Sequence, residues 1–328
     1  MTNKNLSLSS FKINIISKNT LINLAKIFIA VGLLIYLISR VQYNQIILAV
    51  NDANILVIGI VLILGVLNVY LQYSKWRLTC CEVLEVNNNS KAFRSLFYGF
   101  SAGIITPLRI GEYFGRAIEF KDKSIVQVTV ATLVDKFFPL LIIVSFGSIS
   151  SLFFIYFYFQ VSIYIVLSLF VLIFTFFYLF VLLLLSKRFW DNILFSRLKS
   201  STNFKSFFDK LKVFKRLDRN YSYKMMGISF LFYACILIQY ALLVIAFSHQ
   251  FDFFNYLWAA GLIIFTKTII PPISLGELGI REGASVYFIT QMSGTAAVGF
   301  NASIFLFIIN LLIPALIGVG MSVKKNDD

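Results

Sequence analysis

An all-α polytopic membrane fold, with about six full spans and two re-entrant broken-helix segments arranged as an inverted repeat, is predicted by three observations. The first is composition. Hydrophobic residues make up 59% of the 328 and charged residues 13%, and mean hydropathy is +0.84. Soluble domains carry about 25% charged residues, so this chain cannot cover a water-facing surface. The second is a succession of apolar runs near 20 residues, the length a helix needs to cross about 30 Å of hydrocarbon. The third is a duplicated interruption. TPLRIGEYFGR at 106–116 and PISLGELGIR at 272–281 share the pattern P-x-x-x-G-E-x-x-x-R, with Pro107 and Pro272, Glu112 and Glu277, and Arg116 and Arg281 each 165 residues apart.

In chain order, a cytoplasmic segment 1–19 with Lys4, Lys12 and Lys18 precedes a membrane domain over 20–322 and a tail over 323–328. No small-residue cleavage site follows the run at 20–39, which reads as an uncleaved first span. Further spans are predicted at 53–73, 125–148, 161–185, 225–248 and 300–322, with 149–160 extending the fourth run and lying partly in the interface. Between the two halves, about 20–185 and about 225–322, residues 187–224 carry eleven Lys/Arg against Asp191, Asp209 and Asp218. Apolar residues recur there at helical intervals. The segment fits either an amphipathic cytoplasmic hairpin attracted to anionic lipid or a solvated loop.

Charge sets the topology. With the N-terminus inside, the chain returns to the cytoplasm at Lys75 and Arg77. A full outward crossing by 92–105 would put Arg109, Arg116, Lys121, Lys123 and the basic 187–224 segment outside, against the positive-inside rule. Entry and return of 92–105 keeps both inside. In the second half the chain is outside at His249 and Asp252 and ends inside at Lys324 and Lys325, so 253–292 begins and ends outside. Either a re-entrant dip or two full crossings satisfies that count. Re-entry places the two motifs at opposite approaches to mid-membrane, as in transporters built from inverted repeats.

The motif residues have physical roles. Pro107 and Pro272 remove a backbone donor and disfavour helix before them. Gly111 and Gly276 permit a tight turn and close approach. Beyond the break, Glu at i and Arg at i+4 share one helical face in the favourable order. Unwound backbone and charge at membrane depth are tolerated only inside protein or around a wet cavity. Arg109, Glu112, Arg116, Glu277 and Arg281 are therefore headgroup or cavity candidates, together with Asp135, Lys136 and Lys267 in neighbouring apolar runs. Glu282 is a further candidate, although it is expected on a different face from Arg281. Arginines at helix starts suit a phosphate. The competing reading is that Glu112–Arg116 and Glu277–Arg281 only lock the halves in register. Trp76 and Arg77 read as interface anchors and His249 as a loop residue.

Other chemistries find little support. Cys80, Cys81 and Cys235 make no CxxC, His249 is the only histidine, and no nucleotide, metal or Ser-nucleophile motif occurs, so no cofactor is implied. Despite a net charge of +14, the cations sit between apolar runs, which argues against nucleic acid. Asn88-Asn89-Ser90 and Asn301-Ala302-Ser303 match glycosylation sequons short enough to arise by chance.

TPLRIGEYFGRA and PPISLGELGIREGA, with YSKWRL at 73–78 and VDKFFPLL at 134–141, resemble the membrane region of lysylphosphatidylglycerol synthases, a flippase-like domain. The resemblance covers roughly 20–322. It implies a helical bundle with re-entrant helices that moves, or helps move, a lipid between leaflets. It also implies a small residue where Leu108 stands, a Gly pair at Ser274 and Leu275, and a Glu-Arg pair near Asp135 and Lys136. In the synthases this region is joined to a soluble aminoacyl-transferase domain. No comparable segment follows residue 322, so lysyl transfer by this chain alone is disfavoured.

Three functional readings stay open. The leading one is a non-enzymatic translocator of a lipid or lipid-linked precursor in the plasma membrane, with anionic lipid as its ligand. The second is a membrane-embedded transferase on a lipid or polyprenyl phosphate, with Glu112, Glu277 or Asp135 as acid or base. The third is a scaffold for an envelope-synthesis partner.

Overall fold

The computed structural model describes residues 43–185, 219–270 and 279–327. The predicted first span at 20–39, most of the basic segment, and Pro272, Gly276 and Glu277 lie outside the described residues. Every regular element within them is helical.

A short helix α1 (Tyr43–Asn51) leads to α2 (Ile55–Val83), whose N-terminal amides are capped by the Asn54 side chain. There follow α3 (Asn89–Ile105), a single 3-10 turn (Pro107–Arg109) and α4 (Gly111–Ala117). Next come α5 (Ile125–Phe159) and α6 (Ile163–Leu185). The second half runs α7 (Arg219–Ser248), α8 (Phe253–Ile269), α9 (Ile280–Gln291), α10 (Ala296–Phe307), a π turn (Ile308–Leu312) and α11 (Ile313–Asp327). Four stretches are long and apolar enough to cross a membrane: Ile55–Val83, Ile125–Phe159, Arg219–Ser248 and Ala296–Val323. The π turn has a local cause. Pro314 supplies no amide to the carbonyl four residues back, and the helix widens over the preceding turn.

Two sequence-based boundaries shift. Residues 149–159 continue α5 instead of extending the next run, because the helix ends only where Gln160 turns left-handed at φ 49°. Residues 219–224, assigned to the basic segment, form the first turns of α7. Tyr221 is buried there, with its hydroxyl 3.0 Å from that of Thr79 on α2.

A long helix, a broken helical pair and a second long helix occur in that order twice. Ile55 of α2 and Arg219 of α7 are 164 residues apart, as are Asn89 of α3 and Phe253 of α8. The packing interlocks these two series. α2 lies along α7, while α3 packs on α11 and α8 on α5, so the first limb of each broken pair leans on the last long helix of the other half. Close approach makes both crossings tight. Gly318 of α11 faces the Phe97 backbone, and Gly147 of α5 sits against the Phe265 ring. The core where α2, α7, α8 and α10 meet contains Val61, Tyr240, Leu243, Val244, Ile263 and Ala302. Outward, Ile55, Leu56, Ile63 and Val66 are exposed. That is the distribution expected when lipid replaces water as the surrounding medium.

Candidate functional site

The first motif folds as a hairpin. At the end of α3 the Thr106 hydroxyl donates to the Ala102 carbonyl (3.0 Å) and accepts the Gly111 amide (2.7 Å), joining both sides of the break. Between them Leu108 and Arg109 have φ of 56° and 54°. Such left-handed conformations cost an L-residue about 1–2 kcal/mol each, which explains why the resemblance anticipates a small residue at Leu108. Helix α4 then returns against α3. A Cβ at Gly111 would lie 2.2 Å from the Ala102 oxygen, and one at Gly115 2.4 Å from the Tyr98 oxygen. With Gly99 and Gly103 on the facing helix, glycines spaced by four let the two backbones touch.

This contact buries Glu112 and Arg116 at the centre of an ionic network. One Glu112 oxygen accepts from Arg116 (2.7 Å), and the other takes Lys136 (2.6 Å) and Arg109 (3.0 Å). Arg116 spans to Asp135 (2.9 Å), whose second oxygen lies 3.8 Å from Lys75. The Arg116 guanidinium also stacks 4.3 Å over Trp76, and Ser95 donates to the Arg116 carbonyl (2.8 Å). Lys75, Glu112, Arg116 and Asp135 are each buried. Asp135 and Lys136, adjacent on α5, straddle α4 and reach different partners. The network therefore ties α2, the 3-10 turn, α4 and α5 together.

The second motif is simpler where described. Arg281 pairs with Glu282, and its Nε donates to Ser303 on α10 (2.9 Å). The Ser303 hydroxyl donates in turn to the same Glu282 oxygen (3.2 Å), while the other oxygen accepts the Gly279 amide (2.6 Å). Glu282 thus belongs with Arg281, contrary to the expectation of separate faces. Adjacent side chains diverge on a helix, but the long arginine folds back because Ser303 fixes the meeting point. Asn301 and Ser303 are buried, so that sequon does not serve as a glycan acceptor in this fold.

Between the motifs lies a cavity of about 80 Å³. Arg109 from the first motif, Arg281 from the second and Lys267 from the last turn of α8 line it, with the amides of Asn68, Gln72 and Asn310. Asn310, in the π turn, exchanges reciprocal hydrogen bonds with Gln239 on α7 (3.0 and 3.3 Å). The structure thus brings Arg109, Lys267 and Arg281 to one space, and Glu112, Arg116, Asp135 and Lys136 to an adjoining network.

Two residues read as membrane-boundary anchors are instead interior. Trp76 is fully buried beneath Arg116, and Lys75 is buried beside Asp135 with Phe232 4.9 Å from its amine. The signal was present in the spacing. Asn68, Gln72 and Lys75 fall at i, i+4 and i+7, a polar stripe on an otherwise apolar helix. His249 does sit in the α7–α8 loop, its Nε2 2.6 Å from the Asp52 carbonyl oxygen.

Long apolar helices around broken, charged helices define a multi-pass α-helical membrane protein with a polar centre between two related halves. Residues 23–318 match the family described as the lysylphosphatidylglycerol synthase TM region, and the chain belongs to that family. No curated protein and no solved structure matches it.

Proposed function

We propose that this protein translocates a lipid or lipid-linked precursor across the plasma membrane and takes an anionic headgroup between its two motifs. Arg109, Lys267 and Arg281 receive the headgroup. Glu112, Arg116, Asp135 and Lys136, with Glu282 in the second half, hold the broken helices that carry those cations. The observation that carries the reading is that Arg109 and Arg281, from the two copies of one motif, line the same cavity. The twice-used element order and interlocked packing support an inverted repeat, with α3–α4 entering from the cytoplasm, α8–α9 from outside, and both termini cytoplasmic. Membership of a lipid-related membrane family supports a lipid as the ligand. Buried cations justify their cost only when paired or when a ligand uses them, and a headgroup supplies that use.

Proteoliposomes carrying labelled phospholipids test this. Purified, folded protein is expected to accelerate leaflet exchange of an anionic lipid, and Arg109→Gln to slow it. No acceleration for any lipid class would overturn the proposal.

A further inference from the structure

We infer that the cavity between the motifs is a site for one phosphate group, selective for a phosphate monoester over headgroups that carry an amine. The inference rests on the headgroup reading above and narrows its chemistry. Three observations carry it.

Size comes first. A water molecule takes up ~30 Å³ of liquid volume, and pockets for drug-sized ligands hold roughly 300–1,000 Å³. A cavity of about 80 Å³ therefore admits a group of a few heavy atoms, and a sugar or aminoacyl headgroup must stay outside it.

Charge is next. Arg109, Lys267 and Arg281 approach from three elements, the 3-10 turn, the end of α8 and the start of α9. No carboxylate is among the described lining residues, so an ammonium group placed there meets cations and no counter-charge. A monoester carries about −1.5 to −2 at neutral pH and a diester −1, so the monoester gains more from three converging cations.

Donor geometry completes the argument. A tetrahedral oxyanion offers three or four oxygens in different directions, whereas a carboxylate offers two in one plane. Arginine forks and amide groups on opposite walls suit the former. Asn68 lines this space fully buried, and its Nδ2 has no hydrogen-bond partner among the described residues. Its carbonyl oxygen is already engaged by Gln72 at 2.8 Å, which leaves the amine as an available donor.

The test uses full-length protein in nanodiscs of phosphatidylcholine doped with phosphatidic acid, phosphatidylglycerol or phosphatidylethanolamine, with retained lipid counted by native mass spectrometry. Phosphatidic acid is expected to be retained about tenfold over phosphatidylethanolamine, with phosphatidylglycerol between them, since hydrogen bonds to charged groups are each worth about a factor of ten. Lys267→Gln should abolish most of that preference, whereas Arg94→Gln, which removes a cation in a partly exposed pair with Glu119, should keep it.

Arg281→Gln is a second probe. If it does not fold, Lys267→Gln decides alone. Inorganic phosphate is added as a separate arm. Displacement of phosphatidic acid by millimolar phosphate would mean the site also takes the free ion, and selectivity without displacement would mean that it takes the group only on a lipid. Either result supports a phosphate site. Equal retention of all three lipids, or full preference in folded Lys267→Gln, would overturn it. Failure of transport is separable: selective retention without leaflet exchange removes the translocator and leaves the site, and exchange without selectivity does the reverse.

Discussion

The two copies of the motif occupy equivalent places in their halves and are wired differently. In the first, Glu112 and Asp135 collect Arg109, Arg116, Lys136 and Lys75 from four elements into one buried network. In the second, the described part is a compact exchange among Arg281, Glu282, Ser303 and one backbone amide, joining α9 to α10. The break itself differs as well. The first is closed by Thr106 and by glycines that let α3 and α4 touch, while Gly283 on α9 has open space around it. A shared sequence pattern thus marks a shared position and leaves each half free to stabilise it in its own way. What the halves keep in common is one arginine apiece directed to the cavity between them.

The sharpest way to break this contrast is to remove the hub of the first network. Glu112→Ala strands Arg116, Lys136 and Arg109, and loss of one partner from a buried pair costs about 3–5 kcal/mol. Thermal unfolding in detergent is expected to show this as the largest loss. Glu282→Gln should cost less, about 1–3 kcal/mol, because it strands a single arginine that keeps Ser303 as a partner. An equal loss for both would mean that the halves are energetically alike.

Backbone contact provides a second comparison. Gly111→Ala forces a methyl group against the Ala102 carbonyl, which must move the hairpin apart. A cost of about 1–3 kcal/mol is expected, with weaker burial of Glu112 seen as faster hydrogen exchange across α4. Gly283→Ala in the second half should instead stabilise by up to about 1 kcal/mol, since alanine favours helix and meets nothing there. The smallest effect is predicted at Leu108. Leu108→Gly relieves a left-handed leucine that is already partly exposed, for a net gain of less than about 1 kcal/mol after glycine's greater chain entropy is counted. A measured loss there would show that the Leu108 side chain has a packing role.

Much of the architecture was readable in advance because it depends on local rules. Apolar runs mark helices wherever lipid must be faced, and the Glu112–Arg116 pair follows from four-residue spacing alone. Pro107 and Gly111 likewise mark where a helix must stop and restart. The reading failed where partners are remote in sequence. Lys75 looked like a landing site at the membrane boundary because an isolated lysine after an apolar run belongs there; only α5, 60 residues on from Lys75 at Asp135, supplies the carboxylate that keeps it inside. Trp76 was misplaced for the same reason. Glu282 was misplaced because its direction depends on Ser303, which lies on another helix.

By itself, then, the sequence determined that this protein lies in a membrane, that its helices break at two matched places, and that each break carries charge. Those outcomes are dictated by solvent transfer, backbone donors and helical periodicity, none of which needs a distant partner. Only the tertiary structure decided which charges neutralise one another and which line the cavity. A buried charge is held where its counter-charge lies, and that placement is set by how α2, α5, α8 and α10 pack together.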